Sequence, residues 1–246
     1  MLPLIKIGSV EIPTYFLVIS LVFLGELFYL VKRAQIQKRD LKLALDLYII
    51  VAVSGFMGAR LVHVVFEEPA IYLLDPKQIF YFWQGGFVFY GGVIVSTISG
   101  WIYLKIIKES FFTWADFAVP IVSSGYMLGR FSCFLAGCCY GKFCDLPWAV
   151  ADRAGIFRHP TQIYAMLTEL VALVVLLSLE KRKFLKLGDL FLLWLCLHGL
   201  GRILMEVFRD DFRGHFIWGF SISTLISLAI VGLGLLGLLL PKLRQP

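Results

Sequence analysis

A run of about 20 predominantly apolar residues is what a helix needs to cross the hydrocarbon core of a bilayer, and such runs recur along this whole chain, separated by short polar loops. Seven can be placed, at 15–31, 46–66, 88–107, 112–130, 161–179, 189–208 and 216–240, after a short lead over residues 1–13. With 59% of its 246 residues hydrophobic and 16% charged, the chain has too little polar surface for a soluble domain of this size. One polytopic domain over residues 1–246 is therefore expected: an all-α integral membrane protein of seven transmembrane helices. The first apolar run lacks a basic start and a small-residue cleavage site, so no removable signal segment is expected.

Charge supplies the orientation. The loops after spans one, three and five hold Lys32, Arg33, Lys38, Arg39 and Lys42, then Lys105 and Lys108, then Lys181, Arg182, Lys183 and Lys186. Lys242 and Arg244 follow the last span, whereas the loop after span two sets Glu67, Glu68 and Asp75 against Lys77 alone. By the positive-inside rule the basic loops face the cytoplasm, which puts the N-terminus outside and the C-terminus inside, as an odd number of spans requires. The net charge of +6 is thereby explained by membrane orientation, and nucleic acid is not an expected partner.

Ionisable groups inside membrane segments are costly and mark either function or mutual pairing. Arg60, Arg130, Arg202 and Glu206 stand out. Arg202 and Glu206 lie one helical turn apart, where a local ion pair can form. His63 shares a face with Arg60 and reads as a satisfied interior histidine, outside any site. On the topology above, Arg130, Arg202, Arg209 and the Arg158–His159 pair fall toward the outer ends of their spans. Converging guanidinium groups there would hold a phosphate through paired hydrogen bonds, and a phospholipid head group is the expected ligand.

Four cysteines, Cys133, Cys138, Cys139 and Cys144, fall on the outer segment 131–160, with Cys196 in a span. Three readings are open. An external compartment permits disulfides, with Cys138 or Cys139 bridging to Cys133 or Cys144, and this structural reading is the favoured one. Zinc or a redox role is the second, although the spacing matches no common zinc pattern, and the site is expected to work without a metal or other cofactor. A catalytic thiolate at Cys138, activated by Arg130, is the third.

The stretch GRFSCFLAGCCYG, from Gly129 to Gly141, resembles the signature GRxGNFxNxExxG of the prolipoprotein diacylglyceryl transferase family. GARL (Gly58–Leu61), GGFVFYGG (Gly85–Gly92), RHPTQIYAMLTE (Arg158–Glu169) and GRILMEVFRDD (Gly201–Asp211) resemble further motifs of that family, in the same order. The resemblance implies a multi-pass protein of the bacterial plasma (inner) membrane. It would move the diacylglyceryl group of phosphatidylglycerol to the lipobox cysteine thiol of a prolipoprotein signal peptide, forming a thioether and releasing glycerol phosphate. It further implies that Arg130 and Arg202 hold the lipid phosphate, that Glu206 orients Arg202, and that Tyr90 and Cys138 occupy catalytic positions. Arg60, Tyr15, Gly91, Gly92, Arg158, His159, Gln162, Tyr164 and Arg209 would bind substrate.

The chain departs from that pattern at the site itself. Tyr90 stands where the family has histidine, Cys133 and Ala136 where it has asparagines, Cys138 where it has glutamate, and Thr224 where it has glutamine. A tyrosine, with an unperturbed pKa near 10, is a poorer base than histidine at neutral pH. Two further readings therefore stay open: a related lipid transferase with another acceptor, and a non-catalytic phospholipid- or lipoprotein-binding paralogue.

Overall fold

The computed structural model describes residues 4–7, 10–182, 184–210 and 220–240. Seven of its helices are long and apolar enough to cross a membrane. They are α1 (Thr14–Ile36), α2 (Leu41–Val62, prolonged by a π turn over His63–Glu67), α4 (Phe89–Ile106), α5 (Phe111–Ala136), α6 (Thr161–Glu180), α7 (Asp189–Phe208) and α8 (Ile222–Leu239). Short α3 (Pro69–Leu74) lies between α2 and α4. Two small antiparallel pairs add to the helices: β1 (Leu4–Ile7) with β2 (Val10–Pro13), in the segment read as a plain lead, and β3 (Val150–Ala151) with β4 (Phe157–Arg158). The beginning of the expected seventh span, at 216–219, lies outside the described residues, as do Lys183 and Asp211.

The chain forms two compact units, one of residues 30–111, the other of 1–29 with 112–246. In the unit of residues 30–111, α2 begins at Asp40, whose carboxylate accepts from the Leu43 amide at 3.1 Å. α2 and α4 then pack backbone to backbone. A Cβ on Gly58 would lie 2.8 Å from the Gly91 carbonyl, and one on Gly91 only 2.6 Å from Val62 Cβ. Small residues at such crossings are how membrane helices approach closely. Gly91 and Gly92, expected in substrate binding, also serve helix packing.

Arg60 is likewise claimed by the fold. Its Nε donates to Ile79 O, Nη2 to Gln78 O, and Nη1 to Gly85 O and Gly86 O, while Tyr72 and Phe87 flank the guanidinium. Buried at 4% exposure, it ties down the connection between α2 and α4. Its expected role in substrate binding is thus joined by a structural one. His63 Nδ1 meets Glu67 at 2.6 Å, the satisfied interior histidine anticipated above. Tyr90 sits half-buried in the first turn of α4 with its ring 5.5 Å from Phe89.

In the other unit, α6 and α7 are joined by a buried polar pair, Glu169 with His198, and α7 packs on α8 where a Cβ on Gly199 would lie 3.0 Å from Ser227 O. Asp116 of α5 caps the start of α7, accepting from Gly188 N at 2.7 Å and Phe191 N at 2.9 Å. Large side chains such as Leu24, Val171 and Leu233 stand more than half exposed, as lipid-facing positions must.

Candidate active site

The fourth span runs past its expected end at Arg130 and continues to Ala136. Arg130 and Cys133 therefore project from a continuous helix. α5 closes in a Schellman turn. Gly137, with φ of 68°, donates to Phe134 O at 3.2 Å, and Cys138 donates its amide to Cys133 O at 3.1 Å. This cap sets the second residue past the helix end beside the residue five back, so Cys138 meets Cys133. Cys139 follows with φ of 64°, a left-handed conformation uncommon outside glycine, and brings its sulfur 3.6 Å from that of Cys138. Arg153 Nη2 donates to Ala136 O at 2.7 Å, so an otherwise orphaned carbonyl at the helix end is satisfied.

The sulfurs of Cys133, Cys138 and Cys139 all lie within 4.8 Å of one another, and all five cysteines are free thiols. The expected disulfides are thus replaced by a three-sulfur cluster without Cys144, which is buried with its amide bonded to Phe157 O at 3.1 Å. Neighbouring Cys133 and Cys138 thiols, then Arg130 and Arg209, push the Cys139 thiol down towards thiolate. The Cys138 thiol is pushed up by its hydrogen bonds to Cys133 and Cys139. Tyr15, in the first turn of α1, lies within electrostatic reach of all three cysteines and of Arg130.

Two arginines meet at Tyr126. The guanidinium carbon of Arg130 is 4.9 Å from the centre of its ring, and Arg202 Nη1 lies 3.5 Å from its hydroxyl. Arg202 Nη2 donates to Ser223 Oγ at 3.0 Å. Glu206 does not orient Arg202 as expected. Its Oε1 accepts from Ser221 Oγ at 2.5 Å, and Ser221 also caps α8 by accepting from Thr224 N at 3.1 Å. The reason is geometric: the first turn of α8 offers each side chain a closer hydroxyl. Among the described residues, Arg202 Nε and Glu206 Oε2 are, with Gln162 Oε1, the buried side-chain atoms that have no hydrogen-bond partner. An unsatisfied buried donor or acceptor costs about 1–3 kcal/mol, so both are poised for a polar ligand.

The segment that follows α5 is strapped to this region. Lys142 N donates to Phe208 O at 2.8 Å, Gly141 N to His159 O at 3.0 Å, and Gly141 bridges to Arg209. A Cβ on Gly141 would lie 2.8 Å from His159 Cβ, which is why the motif ends on glycine there. Gln162 donates Nε2 to Cys138 O, and Thr161 Oγ1 donates to Cys139 O at 2.7 Å, so α6 fixes the turn that carries the cysteines. His159 Nδ1 lies 3.1 Å from Tyr164 Oη, which accepts from Trp148 Nε1 at 2.7 Å. Arg158 pairs with Asp152 at 2.7 Å and Asp210 at 3.0 Å, and its contact holds the Asp152 carboxyl below the usual carboxylate range. Arg158, His159, Gln162 and Tyr164 therefore brace the turn and strap that carry the cysteines.

Sequence reasoning missed a buried constellation next to Arg202. Glu169 Oε2 lies 2.7 Å from His198 Nδ1, Trp194 Nε1 donates to Glu169 Oε1 at 2.7 Å, and the Tyr126 and His198 rings meet edge to face at 4.7 Å. Tyr126, Glu169, His198 and Arg202 line one narrow crevice. Glu169 and His198 were visible as ionisable residues in apolar spans. Glu26 of α1, which accepts from Ser124 Oγ at 2.9 Å, was visible in the same way.

The family model described as prolipoprotein diacylglyceryl transferase matches residues 3–240. Phosphatidylglycerol–prolipoprotein diacylglyceryl transferase from Pseudomonas syringae pv. syringae (strain B728a) is 34% identical over 82% of this chain and 77% of its own length. The protein of that name from Bordetella parapertussis is 34% identical over 85% of this chain and 80% of its own. The one from Clostridium tetani is 30% identical over 98% of each. The chain belongs to the prolipoprotein diacylglyceryl transferase family.

Proposed function

We infer that this protein is a multi-pass membrane enzyme that transfers the diacylglyceryl group of phosphatidylglycerol to the thiol of a prolipoprotein. The meeting of Arg130 and Arg202 at Tyr126, with Arg202 Nε buried and lacking an acceptor among the described residues, carries the reading. A phosphodiester is an acceptor-only anion that suits such donors, and planar guanidinium groups bind it through parallel hydrogen bonds. The same groups stabilise the charge that grows on the departing glycerol phosphate as the carbon–oxygen bond breaks. Glu206 Oε2, an unmatched acceptor, suits a hydroxyl of the glycerol head group. The acceptor is the lipobox cysteine of a signal peptide, and the protein resides in the bacterial plasma membrane with its N-terminus and site outward.

Tyr90 and Cys138 favour a second reading, a relative that binds the lipid without turning it over, because both replace residues of the family pattern. Complementation separates the two. Expression in a strain depleted of its own transferase should restore growth and lipoprotein maturation, whereas Arg130→Ala and Arg202→Ala should not. Well-expressed wild type that fails to complement, yet retains phosphatidylglycerol on purification, favours the binding reading.

A further inference from the structure

The three-sulfur cluster has the dimensions of a metal site. Around a tetrahedral zinc, with sulfurs at about 2.3 Å from the ion, neighbouring sulfurs lie roughly 3.8 Å apart. Cys138 and Cys139 are 3.6 Å apart, and no sulfur of the three is more than 4.8 Å from another. The backbone is built to hold them there. A Schellman turn sets Cys138 against Cys133, a left-handed residue turns Cys139 in, and Thr161 and Gln162 tie down the carbonyls of Cys139 and Cys138. A non-glycine residue held at positive φ is the kind of strain that clusters at functional sites.

We propose that Cys133, Cys138 and Cys139 bind one thiophilic divalent ion, zinc by its chemistry, and leave its fourth position open for the acceptor thiol. Sulfur ligands select such an ion, and three protein ligands with one exchangeable position is the arrangement of catalytic zinc. The proposal rests on the transfer reading above and supplies what that reading lacks. Tyr90 is a poor base, whereas a thiol coordinated to a divalent cation is deprotonated outright. Its proton leaves to water on binding. The bound sulfur then supplies an electron pair to the glyceryl carbon, forming the carbon–sulfur bond. The carbon–oxygen bond to phosphate breaks with its pair remaining on the phosphate oxygen. No oxidant or reductant is needed. Four thiolates on one divalent ion carry a net charge of −2, and Arg130 and Arg209, both within electrostatic reach of Cys139, offset it.

The test uses the full-length protein purified in detergent, stripped with a chelator and titrated with Co2+ as the probe. Binding of one ion per chain with a sulfur-to-cobalt charge-transfer band is expected, and X-ray absorption of the zinc form should show three sulfurs at about 2.3 Å. Cys133→Ser, Cys138→Ser and Cys139→Ser should each weaken binding at least about tenfold, within the range seen when a site is perturbed. Cys144→Ser and Cys196→Ser should bind as wild type, and circular dichroism confirms that each variant is folded. A lipobox peptide should add a fourth sulfur to the ion and change the spectrum, whereas its Cys→Ser analogue should not. Absence of the charge-transfer band, an equal dependence on Cys144, or indifference to the peptide thiol overturns the proposal. Undiminished thioether formation by stripped protein overturns it too, while leaving the transfer reading intact. Ion and peptide binding without thioether formation supports the site and counts against transfer.

Discussion

Arg202 and Glu206, one turn apart on α7, do not pair with each other. Arg202 reaches Ser223 at 3.0 Å and Glu206 reaches Ser221 at 2.5 Å, so the first turn of α8 positions both. Each retains one buried atom without a partner, Nε of the arginine and Oε2 of the glutamate. Two charged groups thus share a helix face while their remaining hydrogen-bonding capacity is kept for a third party.

Removal of those hydroxyls should loosen the site without abolishing it. A hydrogen bond to a charged group is worth about 1.5–3 kcal/mol. Ser223→Ala should therefore lower kcat/KM for phosphatidylglycerol by about tenfold or more, since about 1.4 kcal/mol is a factor of ten. Ser221→Ala also removes the α8 cap, so it should lower thermal stability as well, by about 1 kcal/mol. Steady-state kinetics and melting curves read the two effects separately. Unchanged kinetics in Ser223→Ala would contradict the positioning role.

Tyr126 is the element shared by the two arginines. Tyr126→Phe keeps the ring beneath Arg130 and gives up the hydroxyl, with its contact to Arg130 and its long 3.5 Å contact to Arg202. It should retain activity to within roughly threefold. Tyr126→Leu gives up the ring, worth about 0.5–1 kcal/mol at an exposed site and about 2 when desolvated. Its kcat/KM should fall by about tenfold. Equal activity of the two variants would show that the ring does not matter.

The Glu169–His198 pair is buried at 3% and 6% exposure, and truncating one partner leaves the other's polar group stranded. Breaking a buried pair of this kind costs about 3–5 kcal/mol. Glu169→Ala should fail to accumulate or melt far below wild type. Glu169→Gln, which can still accept from Trp194, should lie between them. Thermal unfolding in detergent is the measurement, and a wild-type melting point for Glu169→Ala would refute the account of this pair.

The number of membrane helices was legible in the sequence because apolar length alone determines it. The ends were less so. Arg130 looked like a helix terminus because charge usually stops a span, yet α5 runs on to Ala136, with Arg130 over the ring of Tyr126 one turn back on the same helix. The cysteine spacing fitted no familiar metal pattern, since pattern reading does not register that a Schellman turn folds Cys138 back onto Cys133. Arg60, Gly91 and Gly92 were visible as unusual residues, but a sequence cannot say whether a guanidinium meets a ligand or four backbone carbonyls. Glu169 and His198 are 29 residues apart, and only the packing of α6 on α7 joins them.

Topology can be tested with reporters. Fusions after Lys38 and after Lys181 should read as cytoplasmic, and an insertion at Asp145 as external, in keeping with the basic loops. The opposite result at two of the three would place the cysteine cluster and both arginines on the cytoplasmic side.

The most direct test of the central claim is reconstitution. Full-length protein in vesicles containing phosphatidylglycerol is mixed with a synthetic lipobox peptide, and the peptide is examined by mass spectrometry. A diacylglyceryl thioether on the peptide cysteine is expected, matched mole for mole by released glycerol phosphate. Arg130→Lys should be strongly impaired, because it keeps the charge and loses the planar two-point contact, and Arg202→Ala should be inactive. Absence of thioether from folded wild-type protein, or wild-type turnover by Arg130→Ala and Arg202→Ala, would contradict the account.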